Sequence, residues 1–244
     1  MRYEIRFTAL IAALLIALAG PARLAAGGSV EAQDDGADKR TGMPSERGGS
    51  FERGNIEPPD GYERAIFAGG CFWCMEPPYD EVDGVYAVTS GFTGGETVDP
   101  SYEQVIAGGT GHQEAVEVIY DPRVVGYREL IDIFWRNIDP LDDRGQFCDR
   151  GDIYRSGIFY VDDGQREIAE DSRSELEASG RFDREIVTEI RQFDTFYPAE
   201  EYHQAYYLKN PVRYRFYRTS CGRDNRLQQL WSRLDGKPER YEVT

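Results

Sequence analysis

Cys71 and Cys74 stand three positions apart in AGGCFWCMEPPYD (residues 68–80), behind a glycine pair and with Phe72 and Trp73 between them. A thiolate is the reactive form of cysteine, and a free thiol titrates near about 8.5, so such a site needs a setting that favours the anion. The free N–H groups at a helix start supply one. Gly69 and Gly70 let the backbone approach closely and take unusual dihedrals. Haem attachment needs a histidine after the second cysteine, and residue 75 is methionine. Zinc needs further soft ligands at close spacing, whereas Cys148 and Cys221 are isolated and His112 and His203 are the only histidines. A dithiol exchanger using Cys71 and Cys74 fits a strand–cysteine–helix layout. Two bulky aromatics between the cysteines suit an apolar pocket beside one nucleophile instead.

The flanking pattern supplies the elements that must hold these residues. RAIFAGG reads as a strand entering a glycine turn, and CFWCMEPPYDEV as a helix that begins near Cys71 and is disturbed by Pro77 and Pro78. VYAVTSGFTGG is a strand, SYEQVIAGG a helix capped by Ser101 and closed by Gly108. HQEAVEVIYDP alternates, with Ala115 facing away from Val116, Val118 and Tyr120, which puts Glu114 on the Val116 face. YRELIDIFWRNI has helical spacing through Leu130, Ile131, Phe134 and Ile138; RSGIFYV is a strand, GQREIAEDSRSELEASG a surface helix and REIVTEIRQF a further strand. The expected fold is an α/β (α+β) two-layer sandwich, a mixed sheet with helices packed on it and a ferredoxin-like core.

A formal charge of −16 repels phosphates, so nucleic acid is excluded as a partner. Arg2 and Arg6 precede TALIAALLIALAG, which reads as a secretory signal over residues 1–26. The chain is thus expected to be exported, to a periplasm, with an uncleaved membrane anchor as the alternative. Residues 27–60 are rich in Gly, Asp, Glu and Pro and read as a flexible acidic linker; residues 61–235 form the catalytic domain and 236–244 a tail.

Four blocks in order, GGCFWCMEPPYDEVDGVYAVTSGFTGG, SYEQVIAGGTGHQEAVEVIYDP, GQFCDRGDIYRSGIFY and AEEYHQAYYLKNP, resemble type A peptide-methionine sulfoxide reductase from about Arg64 to about Pro211. The resemblance implies reduction of the S epimer of methionine sulfoxide, free or in proteins, with no bound cofactor or metal. It also implies recycling by an external thioredoxin-like dithiol, and a monomer is expected. A sulfoxide presents an electrophilic sulfur, a basic oxygen and an S-methyl group. On the resemblance, Cys71 attacks the sulfur and becomes a sulfenic acid. Glu114 in GHQE is the acid for the oxygen, which requires a desolvated, protonated carboxyl. Tyr102 and Tyr154 hydrogen-bond the same oxygen, Asp149 orients the site, and Phe72 and Trp73 wall the methyl slot. His112 and His203 are expected to hold loops.

The chain departs from the resemblance at Cys74, where many members have glycine, and in lacking a glycine-rich C-terminal tail with resolving cysteines. Cys221, opening a basic amphipathic helix, and Cys74 are the candidates for the resolving thiol. Cys221 is favoured because a mobile C-terminal segment reaches the site, and Cys148 ranks last. Phe92 and Ile153 are smaller departures, touching substrate contacts. A general thiol–disulfide oxidoreductase and a metal-binding module are the competing functions.

Overall fold

The apolar strands on either side of the Cys71 turn pair with each other. In the computed structural model, which describes residues 57–235, β1 (Glu63–Gly69) lies antiparallel to β3 (Gln113–Tyr120), with Phe67 opposite Val116. The leader, the linker before Glu57 and the tail 236–244 lie outside the described residues. After β1 the chain forms two single-turn helices, α1 (Phe72–Met75) and α2 (Pro77–Asp80), because Pro77 cannot continue the first but fits the first turn of the second. Strand β2 (Val85–Thr93) and helix α3 (Tyr102–Ala107) lead into β3, and α4 (Tyr127–Arg136) follows it. A short hairpin, β4 (Gly145–Gln146) and β5 (Asp149–Arg150), precedes β6 (Ser156–Tyr160) and the long helix α5 (Asp163–Ala178). Strands β7 (Glu189–Gln192) and β8 (Phe196–Pro198) precede three helices, α6 (Tyr206–Lys209), α7 (Pro211–Ser220) and α8 (Arg223–Asp235).

The sheet order is β7-β6-β1-β3-β2-β8, antiparallel except for the parallel β6–β7 pair. Its inner four strands, β6-β1-β3-β2, are those of a ferredoxin-like core, and the sheet is mixed as expected. On one face Phe67 stacks with Tyr79 and Phe134 at 5.3 Å each, and Leu130, Ile131, Phe134 and Ile138 of the α4 region are fully buried there with Ala169 of α5. Full burial of each such side chain contributes about 1.5–3 kcal/mol. Trp135 Nε1 donates to Ser172 Oγ at 3.1 Å and ties α4 to α5.

The opposite face carries a smaller apolar cluster, Ile66, Ala68, Ala115, Phe159 and Phe196, beside the Arg64–Glu117 ion pair at 3.2 Å. Every residue of β3 is therefore buried, on both faces. REIVTEIRQF forms a strand only from Glu189. Val187 N instead donates to Pro140 O at 2.9 Å, and the Thr188 hydroxyl pairs with Ser156 Oγ at 2.9 Å, so the end of the first half is tied to the segment before β4 and to the start of β6.

Candidate active site

Strand β1 delivers Cys71 through a turn that only glycine takes easily. Gly70 has φ +80°, and a Cβ there would lie 2.5 Å from Gln146 Cβ. Gln146 is itself fixed, accepting from Asp139 N at 2.7 Å and donating to Asp139 O at 2.9 Å. Cys71 caps the N-terminus of α1, and the first helical amide, Phe72 N–H, donates to Glu114 Oε2 at 3.1 Å. Strand alternation thus brings Glu114, 43 residues on from Cys71, beneath the cysteine, as Val116 and Val118 are brought into the core.

Glu114 is 2% exposed, and burial pushes its carboxyl up to about 8 against the pull of the Phe72 amide; Asp149 and Cys74 add to the rise. At neutral pH it therefore holds its proton, with one oxygen engaged by the amide. Tyr102 begins α3, placed by a capping box in which Ser101 and Gln104 exchange backbone bonds, and its own N–H donates to Glu200 Oε1 at 3.1 Å. Burial and the nearby Glu114 raise the Tyr102 phenol to about 12, and the same two causes raise that of Tyr154, which ends a 3₁₀ turn after β5. Both phenols keep their protons and can donate to an oxygen that gains charge.

Cys71 and Cys74 are both buried free thiols within hydrogen-bonding reach of each other. Burial raises Cys71, as does Cys74, while the Tyr217 hydroxyl lowers it. The bond from Cys71 brings Cys74 down to about 6 against the desolvation of a buried anion, helped by Arg223 and Arg218.

Asp149 stands on β5, its Oδ2 accepting the Tyr217 hydroxyl at 2.6 Å, and burial raises its carboxyl. Tyr217, which meets both Asp149 and Cys71, is a residue the sequence reading did not single out. The only hint is its place one helical turn before Cys221 on α7. Phe72 is buried against Phe92 at 6.0 Å, whereas Trp73 is partly exposed and stacks on Tyr206 at 3.8 Å. Trp73 Nε1 donates to His203 Nδ1 at 3.1 Å, which fixes the imidazole proton on Nε2. Burial lowers His203 to about 4, so the ring stays neutral between Tyr102 and Tyr202, 4.3 and 4.1 Å away.

The AEEYHQAYYLKNP block explains itself in these contacts. Glu200 anchors α3, His203 orients Trp73, and Gln204 bonds to Ser90 N, Ser90 O and Ala199 O beside β2. Glu76, buried beyond α1, accepts from Ala205 N at 3.1 Å and clamps the block to the cysteine helix. His112 holds a loop, its ring nitrogens meeting Gly95 N at 3.1 Å and Thr97 O at 2.7 Å.

Cys221 does not open a helix. It ends α7, is followed by Gly222 at φ +71°, and is joined to Cys148 by a disulfide. The segment expected to be mobile is thus α7, a turn and α8, pinned to the β4–β5 hairpin. Cys148, Asp149 and Cys221 offer three donor atoms within 4.8 Å of one another, but both sulfurs are committed to the bridge. The free thiol beside Cys71 is Cys74.

Residues 63–235 match the family model described as peptide methionine sulfoxide reductase. The chain is 54% identical over 169 residues to the peptide methionine sulfoxide reductase MsrA of Streptococcus uberis, covering 69% of this chain and 99% of that one. It is 52% identical over 171 residues to the MsrA of Bacillus licheniformis, covering 70% and 94%. Among solved structures, reduced Mxr1 from Saccharomyces cerevisiae superposes with a TM-score of 0.60 at 33% identity, covering 65% of this chain and 91% of that one. Methionine sulfoxide reductase A of Corynebacterium diphtheriae gives 0.56 at 34%, covering 63% and 77%.

Proposed function

The chain belongs to the peptide methionine sulfoxide reductase family, an oxidoreductase family that reduces methionine sulfoxide, and from that premise we propose that Cys71 reduces the S epimer, free or in proteins. One observation carries the assignment of roles. A buried, protonated carboxyl, Glu114, is one hydrogen bond from the amide that follows Cys71. The thiolate attacks the sulfoxide sulfur, Glu114 gives its proton to the oxygen, and Tyr102 and Tyr154 donate hydrogen bonds to that oxygen as charge develops. The oxygen ends on Cys71 as a sulfenic acid, so the substrate sulfur gains the two electrons that the cysteine loses. Phe72 and Trp73 wall the slot for the S-methyl group. Asp149 accepts the Tyr217 hydroxyl and so fixes that phenol beside Cys71.

Cys74 then closes the disulfide on Cys71, since it is the free thiol in reach while Cys221 is paired with Cys148. A thioredoxin-like dithiol reopens it. The leader supports export and repair of oxidised proteins outside the cytoplasm. The test is turnover of a methyl aryl sulfoxide with dithiothreitol. The S enantiomer should be consumed, the R enantiomer left, and Cys71→Ser should abolish the reaction. Equal consumption of both enantiomers, or an active Cys71→Ser, would sink the assignment.

A further inference from the structure

Two ties cross the seam between the β4–β5 hairpin and α7. One is the Cys148–Cys221 bridge, the other the hydrogen bond from the Tyr217 hydroxyl to Asp149 Oδ2 at 2.6 Å. They run side by side, because Asp149 follows Cys148 in the chain and Tyr217 lies one helical turn before Cys221 on α7. The sulfurs also touch the carboxyl, Cys148 Sγ lying 3.7 Å from Asp149 Oδ1 and Cys221 Sγ 4.0 Å from Oδ2. Tyr217 belongs to the cysteine site as well. Its ring meets Trp73 edge-on with centroids 5.8 Å apart, it packs on the buried cluster of Cys74, Tyr206 and Tyr214, and its hydroxyl reaches Cys71.

We propose that the Cys148–Cys221 bridge is a second thiol-exchange site, a clasp that positions Asp149 and Tyr217 for the reaction at Cys71 and that an external dithiol opens to slow that reaction. This rests on the assignment of Cys71 as the attacking thiol. Two thiols cannot stand at bonding distance, so opening the clasp pushes the hairpin tip and the end of α7 apart. Asp149 and Tyr217 sit on those same two segments, and the bond that fixes the phenol beside Cys71 is stretched.

The change stays local, because each side of the seam has an anchor of its own. Arg223, two residues after Cys221, donates to Gly69 O at 3.0 Å and Asn137 O at 2.6 Å. Gln146, two residues before Cys148, exchanges two hydrogen bonds with the Asp139 backbone. Cys148 is exposed and Cys221 half-buried, so the incoming thiolate meets Cys148 first. Its sulfur bonds to Cys148, the bridge breaks, and Cys221 leaves as a thiolate that the Cys148 amide, 3.1 Å from Cys221 Sγ, helps to hold until it takes a proton. The second thiol of the dithiol then displaces Cys148. The chain's two sulfurs gain the two electrons that the dithiol loses as it becomes a disulfide.

A Cys74→Ser chain isolates the step at Cys71. With the clasp closed its one free thiol is Cys71; reduction with dithiothreitol, removed without air, adds Cys148 and Cys221. Alkylation followed by mass spectrometry identifies the two forms, and a chelator keeps metal off the opened Cys148, Asp149 and Cys221. Thioether release in a single turnover of a saturating methyl aryl S-sulfoxide should be about tenfold or more slower in the open form, the scale of losing a hydrogen bond to a charged group. The half-saturating sulfoxide concentration should not change. Adding Tyr217→Phe should make both forms equally slow, a convergence that a bridge serving stability alone would not produce.

Equal rates in the two folded forms overturn the proposal, as does a slowing on opening that persists in full with Tyr217→Phe. Loss of the near-ultraviolet circular dichroism on opening also overturns it, since the anchors at Arg223 and Gln146 should preserve the fold. Cys148→Ala with Cys221→Ala, again with Cys74→Ser, should match the open form and ignore dithiol, and a rate equal to the closed form overturns the proposal too. The underlying assignment fails separately. Product from Cys71→Ser, or none from the closed Cys74→Ser chain, removes it whatever the clasp does.

Discussion

Replacing Glu114 with glutamine should make this protein more stable and far less active, and the size of the first effect follows from the site. Glu114 is nearly inaccessible, and its carboxyl is raised from 4.5 to about 8, with desolvation the main cause. Between those values the folded chain keeps a proton that the unfolded chain gives up, so ionisation favours unfolding and the penalty grows with pH. At 1.36 kcal/mol per unit the penalty is absent near pH 4, about 3 kcal/mol at pH 7 and about 5 kcal/mol above pH 8. Glutamine is the same shape, accepts the Phe72 amide through its own oxygen, and carries no such penalty. Urea unfolding of both proteins at several pH values between 4 and 9 gives the difference directly, with shared titrations such as those of Glu76 and Glu117 cancelling. Activity should fall by about 10²–10⁴-fold, because glutamine has no proton to give. The wild-type rate should itself decline above about pH 8. The reasoning fails if Glu114→Gln tracks wild type at a constant offset across pH, or loses stability relative to it between pH 5 and 8.

Two further substitutions probe the frame around the pair. Tyr217→Phe removes the hydroxyl shared by Asp149 and Cys71. In a Cys74→Ser background alkylation of Cys71 at pH 8 should slow, and urea unfolding should show a loss of about 1.5–3 kcal/mol, the range for a hydrogen bond to a charged group. Unchanged alkylation would separate the hydroxyl from the thiol. Gly70→Ala should cost about 2 kcal/mol or more, because it combines a left-handed backbone with a 2.5 Å approach to Gln146 Cβ. Gly69→Ala should cost less, since its new Cβ meets only the flexible end of Met75; equal losses would refute the turn geometry.

What the sequence disclosed depended on how far apart the cooperating residues lie. Ser101 and Gly108 mark the ends of α3 through local backbone chemistry, and the β3 alternation puts Glu114 on the core face, so both were legible. REIVTEIRQF has a strand's composition throughout, but its first half pairs with Pro140 and Ser156, neither near in sequence, and no local pattern marks that. Strand β8 is three residues ending in proline, too short to stand out. Cys71, Glu114 and Asp149 could be named from their blocks. Tyr217 and Arg223 could not, because RYRFYRTSCGR reads as a basic amphipathic surface, and only the tertiary fold turns those two side chains inward.

The same spread of the site along the chain bears on when the protein becomes reactive. Glu114 meets Phe72 across 42 residues, Tyr217 meets Asp149 across 68, and Arg223 meets Gly69 across 154. Such distant contacts form late, because each must first overcome the entropy of a long loop. A chain emerging from its N-terminus displays Cys71 and Cys74 early, before Glu114, Tyr217 and Arg223 are in place around them. During synthesis the pair is therefore an ordinary pair of thiols. That setting is complete only when the last two helices dock, so a chain cut short before α7 would keep Cys71 and Cys74 but lack Tyr217 and Arg223.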